Sequence, residues 1–166
     1  MLRPAVVTDV PALQRLEVEA GRQFADVGLD AVAADEPPTA DALLAHIISG
    51  TAWVAETGGD LVGYAVTSEV DGEGHLDQVS VCPQMRGRGV GRSLIEAAAR
   101  WALDAGLASM TLTTFADVPW NAPHYARLGF AVLEPHEIGP QLAAVRQSEA
   151  WLDAHGARVA MRLPLD

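Results

Sequence analysis

The sequence predicts a single α/β or α+β domain, 1–166, built around a partly antiparallel sheet. The chain has 166 residues, which is the size of one ordinary domain. Hydrophobic residues make up 49% and charged residues 20%, so a sizeable core can form and disorder is excluded. Strand-like and helical segments begin in the order β-α-α-β-β-β-α-β-α-β, and one more helix and strand follow. This order indicates hairpins followed by crossovers through helices.

Seven strands are predicted from their residue types and from the turns that flank them. They are Leu2–Val6, Thr51–Glu56, Leu61–Val70, His75–Val81, Ser109–Thr114, Phe130–Leu133 and Ala157–Leu163. Gly58-Gly59 predicts a hairpin between the second and third strands. The segment 71–74, Asp-Gly-Glu-Gly, predicts the turn before the fourth strand.

Five helices are predicted from apolar spacing and from capping residues. Thr8 caps the first, which runs to about Phe24, and the loop Asp26–Pro38 follows it. The other four helices run from Thr39 to near Gly50, from Gly89 to Asp104, from Pro119 to Leu128 and from Gln141 to His155. Proline opens the fourth helix, and Gly106 stops the third.

Charge is distributed unevenly along the chain. All 11 basic residues are arginine, and the net charge is −11. Residues 1–83 hold 14 acids against 3 arginines, whereas residues 84–166 hold 8 of each. Nucleic-acid binding is disfavoured because it needs a basic face. The local cluster of Arg86, Arg88, Arg92 and Arg100 could serve a small phosphorylated ligand. The acidic first half could attract a cationic ligand, or could merely keep the protein soluble.

The sequence contains no pattern typical of a membrane span, a signal peptide or a metal site. No apolar stretch approaches the roughly 20 residues that span a bilayer, and no signal peptide opens the chain, so a cytoplasmic protein without membrane contact is expected. The single cysteine, Cys82, is interpreted as a buried structural thiol. Five histidines without ligand spacing predict no metal site.

A glycine-rich segment joins the fourth strand to the third helix. It contains Gly87, Gly89 and Gly91 at alternate positions. Glycines let the backbone approach a ligand closely, and the helix that follows offers free N–H groups and its positive dipole end. The segment therefore suits an anion such as a pyrophosphate, although a tight strand–helix connection is the alternative. Its position and the absence of lysine exclude the dinucleotide fingerprint and the P-loop.

Two motifs together resemble the Gcn5-related N-acetyltransferase (GNAT) family. Residues 86–91, Arg-Gly-Arg-Gly-Val-Gly, match its Gln/Arg-x-x-Gly-x-Gly/Ala pattern. Residues 121–130, Asn-Ala-Pro-His-Tyr-Ala-Arg-Leu-Gly-Phe, match its Asn-x-x-x-Tyr-x-x-x-Gly-Phe signature about 30 residues later. The resemblance covers nearly the whole chain. It implies the acyl-CoA acyltransferase fold, a mixed sheet of about seven strands flanked by about five helices.

The resemblance implies acetyl-CoA as the cosubstrate. The pyrophosphate would bind the N–H groups of the glycine segment, and the pantetheine arm would pair with the backbone of the fourth strand. The Val81 amide would donate to the thioester oxygen. The implied cofactor-binding residues are Val79, Val81, Arg86, Gly87, Arg88, Gly89, Val90, Gly91, Arg92, Ser93 and Asn121. Core packing is the alternative for the two valines, and helix capping is the alternative for Asn121.

Acyl transfer to an amine needs a base and an acid. His75 and Asp77 point the same way by strand alternation and are the candidate bases, with Glu69, a water chain or no base as alternatives. The resemblance implies that the Tyr125 hydroxyl protonates the departing thiolate; a buried core tyrosine is the alternative. Phe24 and Trp120 are candidates for the acceptor site.

The predicted function is therefore N-acetylation of an amine-bearing small molecule or peptide, by direct attack in a ternary complex. The acidic first half favours a cationic acceptor. A non-catalytic acetyl-CoA sensor is the rival from another class, and a longer acyl chain or a hydroxyl acceptor is the enzymatic rival. The segment Gln141–Leu163 could support a homodimer.

Overall fold

A computed structural model describes residues 1–166 and contains one sheet in the order β1-β2-β3-β4-β5-β7-β6. Its strands are β1 (Leu2–Pro4), β2 (Ala52–Thr57), β3 (Asp60–Val70), β4 (Glu73–Val81), β5 (Ser109–Phe115), β6 (Ala131–Val132) and β7 (Arg158–Pro164). β4 pairs with β5 in parallel, while β1 with β2, β2 with β3, and β7 with both β5 and β6 are antiparallel. The predicted mixed sheet of about seven strands is confirmed.

Seven α-helices accompany the sheet, two more than expected. They are α1 (Val10–Gly21), α2 (Asp30–Ala33), α3 (Ala40–Ile48), α4 (Val90–Asp104), α5 (Ala122–Arg127), α6 (Pro140–Ser148) and α7 (Ala150–Asp153). Helix α2 forms inside the predicted loop, and the last predicted helix is divided into α6 and α7. None of the helices combines the length and the apolar character that crossing a membrane requires.

The chain forms two compact units that alternate along the sequence. The first unit comprises Met1–Ser68 and Leu76–Trp101, and the second comprises Glu69–His75 and Ala102–Asp166. The core of the first unit is a cluster contributed by α1, α3, β2 and β3, including the fully buried Leu13, Val54 and Tyr64. The core cluster of the second unit joins Val70, Leu133, Leu142 and Ala160.

The first helix begins later than predicted, and Thr8 does not cap it. The Asp9 carboxylate accepts the Val6 amide at 2.8 Å and two bonds from the Arg3 guanidinium at 2.8 and 3.1 Å. These bonds hold a 3₁₀ turn at Val7–Asp9, so α1 begins at Val10. The hydrogen bonds from Arg3 hold the pKa of Asp9 below its usual value. Thr39 does cap α3, since its Oγ1 accepts the Ala42 amide at 3.2 Å.

The break between α6 and α7 falls at Glu149, whose ψ of 7° leaves the helical range. Its carboxylate accepts the Thr113 hydroxyl at 2.8 Å and the Arg158 guanidinium at 3.1 Å. These partners lie on β5 and β7, so the break accompanies hydrogen bonds from Glu149 to the sheet. Helix α5 also departs from expectation, because it begins at Ala122 with Pro123 in its first turn rather than at Pro119.

Helix α6 is capped from a distant hairpin. Asp71 lies between β3 and β4 with φ of 54°, and Gly72 follows with φ of 75°. The Asp71 carboxylate accepts the amides of Gln141 at 3.0 Å and Leu142 at 2.8 Å, and the Gln141 side chain accepts the Asp71 amide in return. Gly139 has to be glycine here, since a Cβ would lie 2.5 Å from an Asp71 oxygen.

Replacing Asp71 with alanine is expected to lower the free energy of unfolding by about 2 kcal/mol. Losing a helix cap costs about 1 kcal/mol, and placing alanine in the left-handed region costs about 1 more. Urea denaturation checks the value. The matched control Asp117→Ala removes an exposed carboxylate and should stay within about 0.5 kcal/mol of the parent. Equal stability of both variants would contradict the capping role.

Candidate functional site

The predicted site residues divide between the two units. The glycine segment, the fourth-strand valines, Asp77 and Phe24 belong to the first unit, whereas His75, Trp120, Asn121 and Tyr125 belong to the second.

The glycine segment has the backbone conformation that its composition predicts. The Cys82 amide donates to the Val62 carbonyl at 2.8 Å and anchors the start of the segment on β3. Gly87 and Gly89 have φ of 72° and 82°, in the left-handed region that favours glycine. A Cβ built on either residue meets nothing within 4 Å. The backbone therefore borders open space, which a ligand could enter.

The amino end of α4 follows directly and supplies hydrogen-bond donors. The bond from the Ser93 amide to the Gly89 carbonyl, 3.0 Å, is of the helical i to i−4 type. The amides of Val90, Gly91 and Arg92 precede it, so they have no carbonyl within the helix to bond. The 15 residues of α4 add the positive end of the helix dipole. This arrangement fits a diphosphate.

Close packing holds this end of α4 in place. A Cβ on Gly63 of β3 would lie 3.0 Å from Leu94 Cδ1 and 3.1 Å from Val90 Cγ1, so only glycine permits this approach of helix to strand. A Cβ on Gly91 would lie 3.5 Å from Val81 Cγ2, so the Val81 side chain packs beside the first turn of α4. Val79 and Val81 are both half-buried, which is compatible with side-chain packing and leaves their backbone roles as predictions.

The three arginines of the segment have different environments. Arg86 reaches the carboxyl end of α1, where its Nη2 donates to the Ala20 carbonyl at 3.3 Å. Arg92 pairs with Glu96 at 3.0 Å in an exposed contact. Arg88 is exposed. All three arginines are exposed, and Arg86 differs in donating a hydrogen bond to another helix.

Asp77 and Phe24 are the remaining predicted residues of the first unit. Asp77 is exposed, and its Oδ1 accepts the Ser68 hydroxyl at 3.0 Å. Phe24 lies in a 3₁₀ segment, Arg22–Val27, that continues from α1, and its side chain is half-buried.

His75 lies in the interior of the second unit. It is 2% exposed, and its Nδ1 is 2.9 Å from Thr111 Oγ1. The Thr111 hydroxyl lies 3.4 Å from the Gly74 carbonyl, where it can donate. An acceptor amine or a water would have to enter the core to reach this imidazole.

Tyr125 is held on α5 by packing. Its ring contacts the Phe130 ring edge-on, with 5.8 Å between the ring centroids, and the His124 ring lies at the same centroid distance, 5.8 Å. Burial raises the pKa of Tyr125 to about 12, so the phenol keeps its proton across the physiological range. The same cause, together with Arg127, lowers the pKa of His124.

Asn121 precedes α5 and supplies its carbonyl to the amides of His124 at 2.8 Å and Tyr125 at 3.0 Å. Its side chain makes no capping hydrogen bond, so helix capping does not account for the amide group. Trp120, the preceding residue, is half-buried.

A polar network missed by the sequence analysis lies beside the fourth strand. The Glu17 carboxylate of α1 accepts hydrogen bonds from the Tyr64 hydroxyl of β3 and from two side chains of β4, the Ser80 hydroxyl and the Gln78 amide. The one signal that could have found it is position: Glu17 follows Leu13 by four residues, on the buried face of the helix. No group of three His, Cys, Asp or Glu side chains is placed to hold a metal ion.

Comparison with known proteins relates this chain to one family by its sequence and to solved structures by its fold. Residues 16–130 match the family model of the acetyltransferase (GNAT) family. The fold is similar to that of Rv2747 from Mycobacterium tuberculosis, solved with CoA, at a TM-score of 0.75 and 21% identity over 100% of this chain and 99% of the other.

Two further solved structures share the fold. The PaiA N-acetyltransferase from Thermoplasma acidophilum, solved with coenzyme A, has a TM-score of 0.69 and 13% identity, covering 99% of this chain and 98% of the other. The ribosomal-protein-S18-alanine N-acetyltransferase from Escherichia coli has a TM-score of 0.66 and 20% identity, covering 100% and 94%.

Proposed function

Because this chain belongs to the acetyltransferase (GNAT) family, whose members are acyltransferases that use acyl-CoA, we propose that it moves acetyl from acetyl-CoA to a primary amine. The amine attacks the thioester directly in a ternary complex. The observation that carries the proposal is the left-handed glycine segment leading into α4, which borders open space and ends in helix amides without carbonyl partners.

The cosubstrate binds through main-chain groups in this proposal. The amides of Arg86 and Arg88 already donate to the carbonyls of Pro83 and Met85, both at 3.4 Å, so the other amides of the segment up to Gly91 hold the diphosphate. The side chains of Arg88, Arg92 and Ser93 add further donors. The backbone of Val79 and Val81 pairs with the pantetheine arm, and the Val81 amide donates to the thioester oxygen. Asn121, whose side chain makes no capping bond, binds another part of the cosubstrate.

Tyr125 is proposed to act as the acid. When the C–S bond breaks, its electron pair stays on sulfur and the phenol transfers a proton to the thiolate. The acetylated nitrogen then loses its extra proton to give the amide, and this proton restores the phenol. Burial keeps the phenol protonated, since the pKa of Tyr125 is raised to about 12. The acceptor amine must lose a proton first, because an alkylamine with a pKa near ~10 is mostly charged at neutral pH. His75 and Asp77 are the bases that the sequence offers.

The acceptor is proposed to be a cationic small molecule or a peptide with a free amino terminus. The net charge of −11, all of it arising from residues 1–83, supports a positively charged acceptor through long-range attraction. Phe24 and Trp120 are the proposed apolar contacts for it.

A thiol-release assay tests the proposal with spermidine, tyramine and an alanine-initiated peptide as acceptors. We expect saturable, amine-dependent release of CoA, with a product heavier than the amine by one acetyl group in mass spectrometry. Release should fall at high salt if charge steers a cationic acceptor. Saturable CoA binding without amine-dependent release would contradict the proposal and favour the sensor. Release only with longer acyl groups would favour the enzymatic rival.

A further inference from the structure

Four polar groups of the first unit meet next to the strand segment that is proposed to hold the pantetheine arm. Glu17 Oε2 accepts the Tyr64 hydroxyl at 2.8 Å and the Ser80 hydroxyl at 2.5 Å, and Glu17 Oε1 accepts Gln78 Nε2 at 2.9 Å. Gln78 and Ser80 flank Val79 in β4, so the carboxylate lies against that part of the strand.

The hydrogen-bond count leaves one acceptor position on the carboxylate. Each carboxylate oxygen has two lone-pair directions. Oε2 uses both, for two hydroxyls of residues that are buried, whereas Oε1 uses one, for a half-buried amide. Glu17 is itself half-buried. Oε1 is therefore the oxygen with an acceptor position left for a ligand.

A purely structural role explains this arrangement poorly. Placing a carboxylate among apolar groups is costly, and a phenylalanine at position 64 with an apolar residue at position 17 would fill the same space without that cost. Perturbed carboxyl groups with specific hydrogen-bond partners next to a binding element are typical of functional sites.

Resting on the function proposed above, we propose that Glu17 is the base that receives the acceptor ammonium and takes its proton. The N–H bond of the ammonium breaks and its electron pair remains on nitrogen. The proton passes to Oε1, which turns the carboxylate into a carboxylic acid. The neutral amine then attacks the thioester, and Glu17 later returns the proton to solvent.

The surroundings of Glu17 tune it for this role. Burial raises the pKa of Glu17, and the negative charge of Asp35 raises it further, while the bonds from Ser80, Tyr64 and Gln78 oppose the rise. Tyr64 and Asp35 are the titratable groups that act on it. Burial and the neighbouring Glu17 carboxylate raise the pKa of Tyr64 far above its usual range, so Tyr64 remains a donor at every working pH.

The test compares Glu17→Gln with Glu19→Gln, which removes the same charge from the same helix outside the network. With the most active amine of the panel, we expect Glu17→Gln to lower kcat/KM at pH 7 by about 10²-fold. Activity of this variant should then rise tenfold per pH unit toward the pKa of the free amine near ~10, whereas the parent and Glu19→Gln should level off at lower pH. The affinity for CoA should stay unchanged.

Tyr64→Phe gives an independent readout that needs no change at position 17. It removes one donor to the charged carboxylate, so the ascending limb of kcat/KM should move up by about one pH unit. An unmoved limb in Tyr64→Phe, or an unchanged pH profile in Glu17→Gln, would overturn the role of Glu17 while leaving the transferase function intact. If the ascending limb of kcat/KM were lost in His75→Gln or Asp77→Asn instead, the role of Glu17 would likewise be overturned.

If no amine in the panel releases thiol, the proposed function itself fails. Carbon NMR of the Glu17 carboxyl in the intact protein then still decides about the residue. A pKa at the ordinary value of about 4.3 would overturn the tuning inferred for Glu17, separately from the failure of the transferase function.

Discussion

Replacing Tyr125 with phenylalanine is expected to lower kcat by about 10²- to 10³-fold, while the affinity for CoA changes less than about twofold. The substitution removes the proposed proton donor to the departing thiolate and nothing else of substance. The ring can keep its edge contact with Phe130, at 5.8 Å between centroids, so α5 should retain its position. Stopped-flow thiol release gives kcat, and calorimetric titration with CoA gives the affinity.

A packing control separates the phenol from its surroundings. Phe130→Leu disturbs the ring contact but leaves the Tyr125 hydroxyl. It should therefore lower the free energy of unfolding, while kcat falls far less than in Tyr125→Phe. If Tyr125→Phe reduced kcat and CoA affinity by equal factors, the acid role would be contradicted, and Tyr125 would instead be a binding or packing residue.

The raised pKa of Tyr125 has a defined effect on stability as well. Below pH ~10 the phenol is neutral in both the folded and the unfolded chain, so its contribution to stability is fully present. As the pH rises further, the unfolded chain ionises first, and this contribution is lost until the folded phenol ionises at about 12. Tyr125→Phe should therefore make alkaline unfolding less steep between these values.

Features that depend on local backbone chemistry could be predicted from the sequence. The Gly58-Gly59 hairpin forms with φ of 62° and 91°, and Gly106 ends α4 with φ of 78°. The strand–glycine–helix segment that carries the proposed cosubstrate site is local in the same sense. In each case the left-handed region favours glycine, so the residue type alone indicates the conformation.

Features that depend on distant partners could not be predicted. Helix α6 ends where Glu149 bonds Thr113, 36 residues away, and the network at Glu17 joins residues 47 to 63 positions apart. Alternation along β4 predicts a shared face for His75 and Asp77, but it does not predict their burial: His75 is buried and Asp77 is exposed. No periodicity encodes such pairings, because tertiary packing selects them.

Replacing Gly89 with alanine is expected to weaken CoA binding at least tenfold, about 1.4 kcal/mol. Gly89 has φ of 82°, and a Cβ there would project into the open space that the diphosphate is proposed to fill. The left-handed conformation costs alanine about 1–2 kcal/mol, so the backbone would also tend to turn its amides away.

The other end of α4 provides the matched control. Gly106 has φ of 78°, and its Cβ would likewise meet nothing within 4 Å. Both alanine variants should therefore lose about the same stability in urea denaturation, roughly 1 kcal/mol, but only Gly89→Ala should lose CoA affinity in calorimetry. Equal affinity in the two variants would mean that this backbone does not hold the diphosphate, and the site would have to lie elsewhere. Because strain and added volume are the same at both ends, a difference in affinity reports the backbone at Gly89, through contact with the ligand or through displaced amides, rather than a general loss of stability.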